Sequence, residues 1–340
     1  MKKSRIDTGL GALTSALDRA THDIVRRRRA GRLVIAVAAA TAAAAGGWWT
    51  PPAFAASPVS GTREIHESRE ADRTAEIEIS NTSGSVSVQG WDREMVEITG
   101  TLDEDVERLE ITGDRKHLTI RVILPDRVRE GGEADLEVRV PAGAEVSVST
   151  VSADQDIAGL TGELTIASVS GDISVTGGPL KDIEIDSVSG EIDLAASAPT
   201  IEVDSVSGDL TLDAPAQGVL PELHAETVSG DMMILDDLSS CKLTSISGDV
   251  TYQAGFPTDG SYEFEIFSGD IEIAVPASTG ARFEITTFSG EIESEFTSVS
   301  VEREGPGRGD KSGHSNFTIG DGRARVRIES MSGDVSISPR

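Results

Sequence analysis

From about residue 76 onward the apolar residues keep a repeating frame and not a helical stripe. The string Ser-Gly-Asp/Glu followed by an aliphatic residue places its glycine at Gly171, Gly190, Gly208, Gly230, Gly248, Gly269, Gly290 and Gly333, and variant copies set Gly84 and Ala153 in the same frame. Consecutive steps from Gly171 to Gly290 are 19, 18, 22, 18, 21 and 21 residues. Self-similarity at a period near 20 marks a repeat architecture. Counted from the glycine, position −7 is apolar in copy after copy (Leu164, Ile183, Ile201, Leu223, Cys241, Tyr262), as are −5 (Ile166, Ile185, Val203) and +2 (Ile173, Ile192, Leu210, Met232). Position −2 is Val169, Val188, Val206, Val228, Ile246, Phe267, Phe288 or Met331. In the Ala153 copy the +2 column is broken by Gln155.

Side chains alternate faces along a strand, so the parity of these columns reports the path of the chain. Positions −7 and −5 share one parity, whereas −2, 0, +2 and +4 share the other. If all of them face inward, the phase switches once per repeat across −4 and −3, pairs such as Asp186-Ser187, Asp204-Ser205 and Glu226-Thr227. That pair is then a corner, and the glycine faces the lumen, where valine would overpack it. A coil of some 20 residues cannot bury its own inner face; coil stacked on coil can. The expected fold is all-β, a parallel β-solenoid, with roughly 12 turns at about 4.8 Å each.

Two stretches break the period. Between Gly84 and Ala153 the motif is missing, yet residues 96–98, 118–122 and 136–140 alternate as strands, which predicts irregular coils or a cap over 76–145. Between Gly290 and Gly333 lie about two periods and a Gly-rich segment, which reads as a loop over 302–316 inserted in one coil of the repeat region 146–340. The ends of such a stack are unpaired edges that must cap or self-associate.

Composition adds the compartment and removes some partners. The 340 residues carry 58 acidic and 30 basic side chains, a net charge of −28, which disfavours nucleic acid and anionic lipid head groups. The basic residues cluster early: Arg26, Arg27, Arg28, Arg29 and Arg32 precede an apolar run over 33–49, followed by small residues up to Ala55. This is the layout of a secretory signal peptide cut after Ala55, with a long basic leader. The run is short and alanine-rich, so an uncleaved inner-membrane anchor at 33–49 is the alternative, and the membrane would be reached only through it. Leu10, Leu13, Leu17, Ala20 and Ile24 admit a short amphipathic helix in the leader. Residues 56–75 read as a linker. A single cysteine excludes an internal disulfide.

Val88-Gln89-Gly90-Trp91-Asp92, Val138-Arg139-Val140-Pro141-Ala142-Gly143, its echo Ile273-Ala274-Val275-Pro276-Ala277, and the Ser-Gly-Asp repeats resemble the bacterial putative-adhesin family of exported β-strand-repeat proteins. The resemblance covers roughly 75–338 and implies a β-solenoid of the cell envelope, without catalytic residues to carry over.

The residues themselves announce little chemistry. Asp172, Glu191, Asp209, Asp231, Asp249 and Asp270, each directly after a motif glycine, form an outward column that either recruits cations, calcium among them, or bonds backbone N–H groups at a bend. His224 lies beside Glu222 and Glu226, the nearest approach to a metal pair. Arg308-Gly309-Asp310 matches a cell-attachment tripeptide in the inserted loop, and Arg303, Lys311, Arg323, Arg325 and Arg327 make the last coils the basic part of the rod. The expectation is a non-enzymatic exported module binding an envelope polymer or protein, with no cofactor. A membrane-anchored envelope-stress sensor and a carbohydrate-active β-helix enzyme are the alternatives.

Overall fold

The computed structural model describes residues 62–125, 132–213, 220–296 and 313–340, and every regular element among them is a strand. The signal and anchor segments, the cell-attachment tripeptide and most of the Gly-rich insert lie outside the described residues.

One repeat shows how a coil is made. In β8 (Glu163–Ser170) Leu164, Ile166 and Ser168 point inward. Val169, Ser170 and Asp172 are then exposed, and in β9 (Ile173–Gly177) Ile173 and Val175 return to the interior. The phase therefore switches across −2 to +1, and two expectations are corrected. Position −3 faces inward, as at Ser187, Thr227 and Ser245, and −2 faces solvent. Parity alone could not decide, because any run of consecutive outward residues between −5 and +2 satisfies it. Backbone geometry does: the motif glycines turn with positive φ, +123° at Gly190 and +140° at Gly208. A Cβ on Gly208 would lie 2.0 Å from the Gly190 carbonyl oxygen of the adjacent coil. Glycine is thus required by left-handed φ and close backbone stacking, and not by the lumen.

Successive coils pair in parallel and in register, so equivalent residues stack. Ile166 of β8 pairs with Ile185 of β10 (Asp182–Ser189), which pairs with Val203 of β12 (Thr200–Ser207). The series continues through β14 (Glu222–Ser229), β16 (Ser240–Ser247) and β18 (Ser261–Ser268). The second strands follow in step: β9, β11 (Ile192–Ala196), β13 (Leu210–Leu212), β15 (Met232–Ile234), β17 (Val250–Tyr252) and β19 (Ile271–Val275). The described residues form a parallel β-solenoid.

At each end the spatial order departs from the chain order. The last coil, β23 (Ala324–Ser332) with β24 (Val335–Pro339), lies between β18–β19 and the coil of β20 (Ala281–Ser289) and β21 (Ile292–Ser294). The end of the insert is itself a strand: β22 (Gly313–Ile319) runs antiparallel on β20 and covers its edge. At the other end β2 (Glu76–Trp91) lies between β7 (Glu145–Ala158) and a coil made of β5 (His117–Ile123) and β6 (Ala134–Pro141). That coil is capped by antiparallel strands: β4 (Arg108–Gly113) on β5, β3 (Met95–Leu102) on β6, and β1 (Arg63–Glu70) on β3. β1 occupies the stretch read as linker. It carries one inward apolar residue, Ile65, so no alternation announced it.

The lumen is aliphatic at first and aromatic later, where Tyr252, Phe256, Tyr262, Phe264, Phe283 and Phe317 meet ring to ring at 4.5–6.0 Å. Both tyrosines satisfy their hydroxyls internally, Tyr252 donating to Gly255 O and Tyr262 to Leu238 O. Burial pushes both phenols up, so they remain neutral hydrogen-bond donors. Gln155, which breaks the +2 column, is buried and donates from Nε2 to Thr150 Oγ1 at 2.9 Å.

Candidate functional site

The corner geometry builds a surface that the sequence reading placed in the core. Because −2 faces outward, Val151, Val169, Val188, Val206, Val228, Ile246, Phe267, Met331 and Phe288, in spatial order, form one exposed apolar column. Exposure ranges from 36% at Val169 to 64% at Phe288. Exposed valines occur singly on many proteins, but a contiguous apolar stripe on a rigid sheet is a feature of contact surfaces. The signal available in the sequence was the Val-Ser pair before each glycine, two consecutive positions that leave the inward phase together.

On one side of the stripe, on the same sheet face, runs the −4 column. Asp186, Asp204 and Glu226 follow one another there on adjacent coils. Partial burial, reinforced by Asp186, Glu226 and Glu202, pushes the Asp204 carboxyl up to about 6. His224 Nε2 lies 3.1 Å from Glu226 Oε1. Toward the C-terminal coils the face becomes mixed: Arg327 lies within 3.7 Å of Glu263, Lys242 within 3.7 Å of the same carboxylate, and Arg323 within 3.6 Å of Asp259.

Beyond the corner stands the acidic column. Its aspartates are tied to the backbone of the next coil: Asp172 Oδ1 accepts the Glu191 N–H at 3.0 Å, Asp209 that of Asp231 at 2.9 Å, and Asp231 that of Asp249 at 2.8 Å. Asp249 accepts from Asp270, Asp270 from Asp334, and Asp334 from Glu291, each at 2.8 Å. The column therefore satisfies N–H groups at the bend where the ladder is interrupted. Among the described residues no three His, Cys, Asp or Glu side chains converge as metal ligands.

A cleft of about 470 Å³ opens at the capped end between β1 and β4, floored by Ile65, Leu102, Leu109 and Ile111. Its arginines are already engaged: Arg63 with the Val106 and Glu107 carbonyls, Arg69 with Glu67, and Arg108 with Glu107 and Glu110.

The family model described as Toastrack DUF4097 matches residues 70–338. No curated protein sequence matches the chain. Among solved structures, one described as a putative adhesin from Bacteroides fragilis NCTC 9343 is 15% identical, over 82% of this chain and 97% of that chain, with a TM-score of 0.42. Another, a putative adhesin from Parabacteroides merdae ATCC 43184, is 11% identical over 81% of this chain and 96% of that chain, with a TM-score of 0.42. A third, described as a putative lipid binding protein from Parabacteroides distasonis ATCC 8503, is 10% identical over 82% and 98%, with a TM-score of 0.41.

Proposed function

We propose, for a chain that belongs to the Toastrack DUF4097 family, a non-enzymatic binding role outside the inner membrane, carried by the sheet face that bears the apolar stripe. The observation that carries this reading is the stripe itself. Nine apolar side chains are held outward in register, on a backbone whose every coil is hydrogen-bonded to its neighbours. Leaving them in water costs free energy on the order of 25 cal/mol for each Å² of apolar surface, a cost that contact with a partner removes. The basic residues, apolar run and small residues over 26–55 support export.

Co-sedimentation with isolated envelope preparations tests the role, comparing the exported chain with a variant carrying Ile246→Ser, Phe267→Ser and Phe288→Ser. Retention by the parent and a tenfold or greater loss in the variant are expected; equal retention would remove the stripe from the account. The apolar run at 33–49 favours a second reading, an anchored sensor whose leader stays in the cytoplasm. A mature N-terminus near Ala56, found by mass spectrometry, would eliminate it.

A further inference from the structure

Resting on that reading, we propose that the partner seated on the stripe is a second copy of this chain, turned end for end about a two-fold axis that crosses the stripe at Val228. The first argument is pitch. Side chains in the column recur at the spacing of hydrogen-bonded strands, about 4.8 Å. A partner that interdigitates along its whole length needs the same interval, which a second stack has by construction.

Side-chain size then sets the direction. The column holds five valines at one end, from Val151 to Val228, and Ile246, Phe267, Met331 and Phe288 at the other. Turned end for end, Phe288 meets Val151, Met331 meets Val169, Phe267 meets Val188 and Ile246 meets Val206. Each rung joins a large side chain to a small one, and Val228 meets itself. In a parallel arrangement phenylalanine would stand against phenylalanine, leaving gaps along the valines. A self-complementary patch of this kind is what a two-fold interface requires.

Charge on the same face agrees with that direction. With the axis along the strand of the Val228 coil, Arg282 and Arg325 come opposite Glu145 and Glu163, and Lys242 opposite Glu202. The like-charged rungs are Glu263 against Glu184, Glu265 against Asp186, and Glu222 and Glu226 each against its own copy. A parallel arrangement would set the charges of every coil against those of its own copy; end for end, attractive and like-charged rungs offset one another. Because each chain carries a net charge of −28, added salt screens the remaining repulsion and strengthens the interface, whereas it would weaken one made with a basic partner. From the fractional exposures the stripe offers on the order of 700 Å² per chain, or about 1,400 Å² for two, which is within the range of specific interfaces. The occupied surface is the flank of the solenoid, and both capped ends stay free.

Sedimentation equilibrium of the exported chain, across a range of salt, reads the oligomeric state. The expected result is a dimer that tightens with added salt and becomes monomeric in Phe267→Ser/Phe288→Ser, with unfolding midpoints unchanged within a few degrees. Cysteine cross-linking reads the direction, since the native Cys241 is buried. Val228→Cys should form a disulfide-linked dimer under mild oxidation; Val151→Cys should not, but should cross-link when mixed with Phe288→Cys. A chain monomeric under all conditions, or Val151→Cys cross-linking as readily as Val228→Cys, overturns the proposal. If the chain is monomeric and the stripe variant still loses envelope retention, the dimer falls and the binding role stands. If retention also survives, both fall.

Discussion

Replacing Gly208 with alanine is expected to cost about as much as replacing it with valine, and that equality separates the observed glycine role from a lumenal one. The residue has φ of +140°, outside the regions open to L side chains, which costs about 1–3 kcal/mol. The new Cβ would stand 2.0 Å from Gly190 O and 3.0 Å from its carbonyl carbon, so the two backbones must part by more than an ångström. That movement stretches the bond tying this corner to the Gly190 coil, Ile192 N–H to Asp209 O at 2.9 Å, and displaces the one on its other side, Gly208 N–H to Ser229 O at 3.1 Å. At about 1 kcal/mol for each bond, the total is about 4 kcal/mol, a large share of a domain's usual stability. Urea unfolding followed by circular dichroism reads the loss, with Ser207→Ala, exposed in the same coil, as the control, expected within about 0.5 kcal/mol of the parent. An alanine tolerated within about 1 kcal/mol, with valine alone disruptive, would refute the reasoning and restore a lumen-facing glycine.

Three further outcomes follow from single groups. Asp231→Ala removes the acceptor of the Asp249 N–H and should cost about 1 kcal/mol, whereas Asp231→Asn, which keeps an acceptor oxygen, should be nearly silent in the same urea assay. Thr227 Oγ1 is buried without a hydrogen-bond partner, so Thr227→Val should leave the unfolding midpoint unchanged or raise it. For Asp204 the folded pKa, about 6, lies above the ordinary 3.8. The fold therefore favours the protonated form, and the destabilisation from ionising it, absent below pH 3.8, grows as pH rises toward 6 and is complete above. With its open side screened by solvent, the effect is about 1 kcal/mol between pH 7 and pH 4, and Asp204→Asn should remove that part of the pH dependence.

The period and the inward columns at −7, −5 and +2 were legible because burial at those positions selects apolar side chains in nearly every copy, Gln155 with its internal hydrogen bond being the exception, and Leu164, Ile166 and Ile173 are all buried. The corner was not. An apolar residue at −2 and a small hydroxyl at −3 each fit either side of the wall, and only the positive φ of the glycine fixes which of them turns outward. Coil order at the ends was hidden for a different reason. Every coil offers like columns to any other, so the repeat does not specify that β23 should insert between β18 and β20. Capping decides it: the inserted last coil is paired on both sides, and β22 covers the edge of β20, with Phe317 stacked 4.8 Å from Phe283. The acidic column was legible as outward, but its bonds depend on the neighbouring coil's N–H groups, which no single repeat displays.

The exposed stripe on the stacked coils is tested most directly by thiol labelling within a single coil. Val206→Cys and Val203→Cys sit three residues apart, one at −2 and the other at −5. In the native monomer, held as such by Phe267→Ser/Phe288→Ser, a water-soluble maleimide should modify Val206→Cys at the rate of a free thiol and Val203→Cys only after unfolding. Protection of Val206→Cys in the native monomer, or equal reactivity at both positions, would contradict the account.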